Sequence, residues 1–352
     1  MYSRTILAIV TVVVLFLGSN LQAADPPKKA PGFSDEAVAA AIQKGVQFLL
    51  SKQDAHGTWG AFGKEGQGHF YPTGPTAMAT YALLAAGVSA QDPRLDKALN
   101  FLANTPTTKT YCLGLNCQAF VLAAKQNDKW LEPLRRDVEK LIKSTKDGSY
   151  GYESKADGKS AGDNSNSQYG LLGVWGGAMA DMEIPRDYWW QVMKHWLGSQ
   201  NGDGGWGYRK GDSTRATMAA AGVASLYVCF DNLFAEGFRK CNVAAEFDPI
   251  DSGLNWFHKN YAASAERINL YYFYGVERVA LASGFKYFGS TDWYKAGATI
   301  LLNNQRSNGC WDQQWSDVVG TSFALLFLVR GQHPVLFNKL EFKGDWNNRP
   351  RD

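Results

Sequence analysis

Long stretches of small and aliphatic residues alternate along this chain with shorter amphipathic ones. The apolar set covers residues 73–87, 112–126, 165–180, 214–230, 267–284 and 318–331. Each is apolar on most faces of a helix, the pattern of an element enclosed by protein on all sides. The alternate set is clearest at residues 131–146 and 187–200, where apolar residues occupy one face and charges the other, as in an outer layer. No window reads as a strand. Six helices inside six others make an all-α, α6/α6 toroid.

The turns between the layers support that count. Three copies of one pattern are Gln53-Asp54-Ala55-His56-Gly57-Thr58-Trp59, Gln200-Asn201-Gly202-Asp203-Gly204-Gly205-Trp206 and Gln305-Arg306-Ser307-Asn308-Gly309-Cys310-Trp311. They begin 147 and 105 residues apart, close to multiples of ~50, a spacing that predicts degenerate copies between them. Residues 97–104, 138–150 (which end in Tyr150 instead of Trp) and 252–261 fill those slots. The Gln is expected to end an outer helix and satisfy neighbouring backbone groups with its amide. The Gly permits a left-handed turn, and the Trp covers the joint while its N–H finds an acceptor. These are staples of the fold.

Composition and chain ends narrow the setting. Arg4 followed by the apolar residues 6–17 and by Leu21-Gln22-Ala23 predicts a signal peptide over 1–23, hence export. Residues 24–33 read as a disordered linker, 34–342 as the toroid and 343–352 as a tail. The net charge of +3 is near balance and no basic cluster stands out, which argues against nucleic acid as a partner. Twelve Trp, sixteen Tyr and nineteen Phe require aromatic surfaces that are packed or that line something. Five cysteines leave at least one thiol unpaired, and Cys229–Cys241 is the favoured bridge. The five histidines form no short-spaced ligand pair, so neither a metal nor a cofactor is expected.

The Gln-to-Trp turns are QW repeats, and through them the chain resembles the squalene–hopene cyclase and protein prenyltransferase β-subunit superfamily. Residues 163–170, 268–283, 288–294 and 321–330 resemble exported bacterial squalene-cyclase-like proteins. The resemblance implies a central cavity, with inner-helix N-termini converging at one end. It does not carry the superfamily's chemistry. Where the cyclases have Asp-x-Asp-Asp, this chain has Asp163-Asn164-Ser165-Asn166, with one carboxylate. The helix beginning at Asp317 resembles one that carries a zinc-binding His in the prenyltransferases, but Gly320 stands in that place.

The expected function is therefore binding of a hydrophobic, isoprenoid-type or extended ligand, without proton-initiated cyclisation. Asp163 and Asp317 are the candidate acids if a reaction is run, although Asp163 also suits a helix N-cap. Candidate wall residues are His69 and Tyr71 before the first inner helix, then Tyr111 and Asn116 on the second. Asn166, Gln168, Tyr169 and Trp175 belong to the third inner helix, and Arg215 to the fourth. On the fifth, Tyr271, Tyr274 and Arg278 share one face and Tyr272 another, with Arg267 and Glu277 placed to orient a ligand. Competing readings are a cyclase- or isomerase-like enzyme with a divergent acid, a polysaccharide-active barrel, and a structural or protein-interaction toroid. Membrane-surface association and the identity of any protein partner stay open.

Overall fold

The computed structural model describes residues 33–64, 70–145, 147–155, 162–239, 248–265, 268–312 and 316–331. The outer helices are α1 (Asp35–Lys52), α3 (Pro93–Asn104), α5 (Leu131–Ser144), α7 (Arg186–Ser199), α9 (Asp248–Ala265) and α11 (Trp293–Asn304). The inner ones are α2 (Gly74–Ala85), α4 (Thr110–Ala124), α6 (Asn164–Met179), α8 (Ala216–Arg239), α10 (Leu270–Ser283) and α12 (Asp317–Gly331). The inner helices pack in sequence, α2 on α4, α4 on α6, α6 on α8, α8 on α10 and α10 on α12, and α12 returns to α2. The α6/α6 toroid is thus closed.

Burial follows the pattern of the sequence. Ten of the twelve residues of α2 are buried, whereas α5 buries one stripe, including Leu134, Val138 and Leu141. Helix α8 is long and apolar enough to cross a membrane, but 78% of that stretch is buried within the toroid. Two elements depart from the expected all-helical pattern: a 3-10 turn at Asp128–Trp130 and an antiparallel hairpin pairing β1 (Tyr287–Phe288) with β2 (Thr291–Asp292). Each strand has two residues, too short to produce a readable alternation.

The QW turns staple three helices each. Gln53 Nε2 donates to Gly57 O of its own turn at 3.0 Å and to Arg94 O at the start of α3 at 2.8 Å. Gln200 does the same with Gly204 O and Pro249 O of α9, and Gln305 with Gly309 O and Ala41 O of α1. The indole N–H of each Trp reaches back to its own outer helix: Trp59 to Leu49 O, Trp206 to Trp196 O and Trp311 to Leu301 O, at 2.7–2.9 Å. The backbone N–H groups of Trp59 and Trp311 donate to Thr76 and Thr321 of the following inner helices. Tyr150 fills the third slot and donates likewise to Ser167.

The glycine of the turn is constrained twice. Gly204 has φ +88°, and a Cβ there would lie 2.3 Å from Ser252 O on α9. Only a residue without a side chain lets the turn approach the next outer helix that closely.

Cys112, Cys117, Cys229 and Cys310 are buried free thiols. Cys241, the expected partner of Cys229, lies outside the described residues.

Candidate functional site

A cavity of about 840 Å³ opens among the N-terminal ends of the inner helices, and all six contribute to its wall. Phe62 and Tyr71 approach from the segment before α2, and Met78 from α2 itself. Tyr111 and Leu115 come from α4, Ser165 and Tyr169 from α6, Arg215 and Thr217 from the start of α8. Asn269 and Tyr271 belong to α10, and Val319 and Phe323 to α12. Tyr152 and Tyr208, on the loops entering α6 and α8, complete it.

The rings form a connected belt. Phe62 meets Tyr71 at 6.0 Å between centroids, Tyr71 meets Tyr111 edge-on at 5.9 Å, and Tyr111 meets Tyr169 at 4.6 Å. Tyr169 and Tyr271 stack at 6.4 Å with planes 9° apart, and Tyr271 meets Phe323 edge-on at 5.9 Å. Such offset and edge contacts suit the ring quadrupoles and hold the belt rigid. Helix α8 contributes no ring to it; its share of the wall is Arg215 and Thr217.

The four phenols of the belt are neutral. Burial pushes those of Tyr111 and Tyr271 well above their usual range, and Tyr71 and Tyr169 move the same way for the same reason. They present hydroxyl groups and ring faces, and no charge. Among the described wall residues there is no carboxylate, and Arg215 is the one charged side chain. The described residues also hold no group of three or more His, Cys, Asp or Glu that could bind a metal ion.

Of the candidate residues, the structure brings Tyr71, Tyr111, Tyr169, Arg215 and Tyr271 onto this wall. Gln168 lies directly behind it: its amide donates to the Tyr271 hydroxyl and its carbonyl accepts from Arg278 Nη1 at 3.2 Å. Tyr274 is a turn deeper, with the Arg278 guanidinium over its ring at 5.7 Å and Phe323 at 5.5 Å. The Tyr271–Tyr274–Arg278 face of α10 is thus the inward one. Tyr272 faces the outer layer and lies parallel to Phe257 of α9, so it is not a wall residue. Glu277 is fully buried and off the wall.

Five other candidates occupy structural positions. Asn116 turns away from the cavity and donates to Asp137 of α5 at 3.2 Å. Trp175 sits in the last turns of α6, at the far end from the cavity, packed against the core. Asp163 is the N-cap of α6: Oδ1 accepts from Asn166 N at 3.0 Å and from the Ser165 hydroxyl, and Oδ2 accepts from Asn166 Nδ2 at 2.7 Å. Those bonds occupy Asn166 as well, and neither residue lines the cavity. Asp317 is half-buried as the first residue of α12 and also off the wall. His69 and Arg267 lie outside the described residues.

Sequence reasoning missed Phe62, Tyr152, Tyr208 and Phe323. A usable signal existed for two of them. Tyr152 and Tyr208 each follow by two residues the buried aromatic of a turn, Tyr150 and Trp206.

No family model matches the chain, and no curated protein matches it. Solved structures do. The type II terpene cyclase MstE from Scytonema, bound to geranylgeranyl dihydroxybenzoate, aligns over 84% of this chain and 97% of its own at 14% identity, TM-score 0.55. The GH76A α-1,6-mannanase from Salegentibacter aligns over 84% of this chain and 99% of its own at 10% identity, TM-score 0.60. A protein from Actinoplanes aligns over 83% of this chain and 98% of its own at 14% identity, TM-score 0.54. At such identities the likeness establishes the α/α toroid and nothing finer. A cyclase and a glycoside hydrolase share it, so the fold does not choose between their chemistries.

Proposed function

We infer that this is an exported, squalene-cyclase-like toroid that binds a hydrophobic ligand of isoprenoid type in its central cavity, without proton-initiated cyclisation. The observation that carries the reading is the aromatic belt from Phe62 to Phe323, on a wall with no described carboxylate. The cavity falls within the range of about 300–1,000 Å³ usual for small-molecule sites. Ring faces favour the polarisable double bonds and methyl groups of an isoprenoid chain through dispersion and exclusion of water. Protonating an alkene needs an exceptionally strong acid, whereas the phenols of the belt are weaker acids than usual and Asp163 is engaged in capping its helix. The open cavity weighs against a purely structural toroid, whose centre would be filled by its own side chains.

A sugar-binding reading has one observation in its favour: rings edged by tyrosyl, threonyl and amide groups also suit a saccharide. A glycoside hydrolase acting through two carboxyls requires them to face each other across the site, and the described wall holds none.

The test is mass spectrometry of small molecules extracted from the full chain purified gently from its native host, with titrations of geranylgeraniol and α-1,6-mannotriose beside it. A stoichiometric isoprenoid and saturable geranylgeraniol binding are expected. Binding of mannotriose alone would replace this reading with the saccharide one. Conversion of squalene or a prenyl diphosphate by the purified chain would overturn the exclusion of cyclase chemistry.

A further inference from the structure

The cavity wall is chemically lopsided. Rings from the α2 approach, α4, α6, α10 and α12 make the belt, while the α8 sector adds Arg215, the one charged side chain of the described wall, with Thr217 and the loop residue Tyr208. Arg215 is solvent-exposed, at the mouth rather than the floor. Its backbone is committed, with its N–H donating to Trp206 O at 2.9 Å and its carbonyl accepting from Met218 N and Ala219 N. Its guanidinium has no ion pair or side-chain hydrogen bond among the described residues.

That arrangement gives the fold itself no evident stabilisation. Arg215 directly precedes the first residue of α8, where the helix dipole is positive and a cation is disfavoured. Two other cations near the belt are held by partners, and Arg209, on the loop before α8, is not a wall residue. Lys109, at the start of α4, pairs with Glu153. Arg278, deeper in the toroid, is hydrogen-bonded to Gln168 and lies over the Tyr274 ring. Arg215 is left as a forked donor turned toward a ligand-sized space.

The mouth also extends the apolar path outward. Tyr152 and Tyr208 on the wall, and Ile268 beside the wall residue Asn269, are among the few large hydrophobic side chains exposed to solvent. An apolar route ending beside an unpaired guanidinium matches an amphiphile.

We propose that the ligand is an isoprenoid-type chain ending in an oxyanion, a carboxylate or a phosphate, whose head is held by Arg215 at the mouth while its chain descends along the aromatic belt. The guanidinium fork matches two oxygens of such a head. Thr217 and Asn269 line the same cavity and offer further hydrogen bonds. The proposal rests on the hydrophobic-ligand reading above and adds to it the head group and the residue that selects it.

The test titrates the full chain with three ligands of one chain length: geranylgeraniol, geranylgeranoic acid and geranylgeranyl monophosphate. Binding is read by intrinsic fluorescence for the wild type, Arg215→Gln and Arg215→Lys. An anionic ligand should bind the wild type roughly tenfold to a hundredfold tighter than the alcohol. Arg215→Gln should abolish that preference while keeping alcohol binding, and Arg215→Lys should retain part of it. Whichever of acid and phosphate binds tighter identifies the head group. Equal binding of all three ligands to the wild type, or an undiminished preference in Arg215→Gln, would overturn the proposal and leave the hydrophobic-ligand reading standing. Failure of all three ligands to bind would overturn both.

Discussion

Gln305 donates from Nε2 to Ala41 O at 2.9 Å, across 264 positions of the chain. Its counterparts Gln53 and Gln200 make the same bond to the outer helix that follows them in sequence. The last repeat is thereby joined to the first by the interaction that joins consecutive repeats, and ring closure needs no special device. Gln305→Ala removes two hydrogen bonds and should cost roughly 1–3 kcal/mol in a urea unfolding experiment. Gln200→Ala should cost a similar amount. A neutral Gln305→Ala would mean that helix packing, α12 on α2 and α1, and α11 on α1, closes the ring without this bond.

Trp206 is fully buried and lies against Gly222 of α8, where a Cβ would come within 2.3 Å of its ring. Trp206→Ala should destabilise by about 3–5 kcal/mol, seen as a large drop in melting temperature. An unchanged melting temperature would refute the staple role. Gly204→Ala, two positions earlier in the turn, should cost more than about 1 kcal/mol because the backbone is left-handed and Ser252 O blocks the new methyl.

Asp163 separates a capping role from an acid role. Asp163→Ala should lose about 0.5–2 kcal/mol of stability. Asp163→Asn should lose less, since an amide oxygen still accepts from Asn166 N. Geranylgeraniol binding should survive in both. Loss of binding in a folded Asp163→Asn would return this residue to the ligand site.

His195 gives the fold a pH dependence. Burial holds its pKa below the usual value, while Asp147 and Asp163 oppose that shift. Its Nε2 faces Asn164 Oδ1 at 2.8 Å, and Asn164 in turn bonds Gly207 O and Tyr208 O on the loop leading to α8. The neutral ring donates in that contact. The folded state therefore binds a proton less readily than the unfolded state. The contribution is complete above about pH 6.5 and is lost as pH falls through the folded value. The melting temperature should fall between pH 7.5 and 5.5, and His195→Gln should reduce that slope. An equal slope in the variant would assign the effect to other groups.

Cys117 and Cys229 are buried thiols whose pKa values burial raises. Little thiolate forms at neutral pH, and reagents cannot reach it. Neither should react with an aromatic disulfide reagent until the chain unfolds, as peptide mapping would show. Rapid native-state labelling of Cys229 would contradict its place in the core.

The twelve α-helices of the described residues, their two layers and the turns between them were legible in the chain by itself, because each rests on a local pattern of apolar and polar residues. An outer helix such as α5 shows its buried face as a stripe, and a QW turn has its Gly where the backbone must go left-handed. The inner helices are different. A helix apolar on every side has no stripe, so its rotation about its own axis is invisible in the sequence. Packing decided that Asn116 faces Asp137 rather than the cavity, and that Tyr271 turns inward while Tyr272 meets Phe257. Tyr152 and Tyr208 arrive from loops, which have no period, and are marked in the sequence only by standing two residues after Tyr150 and Trp206. That Arg215 meets a wall of rings depends on side chains from all six repeats converging at one mouth, and only tertiary packing sets that geometry.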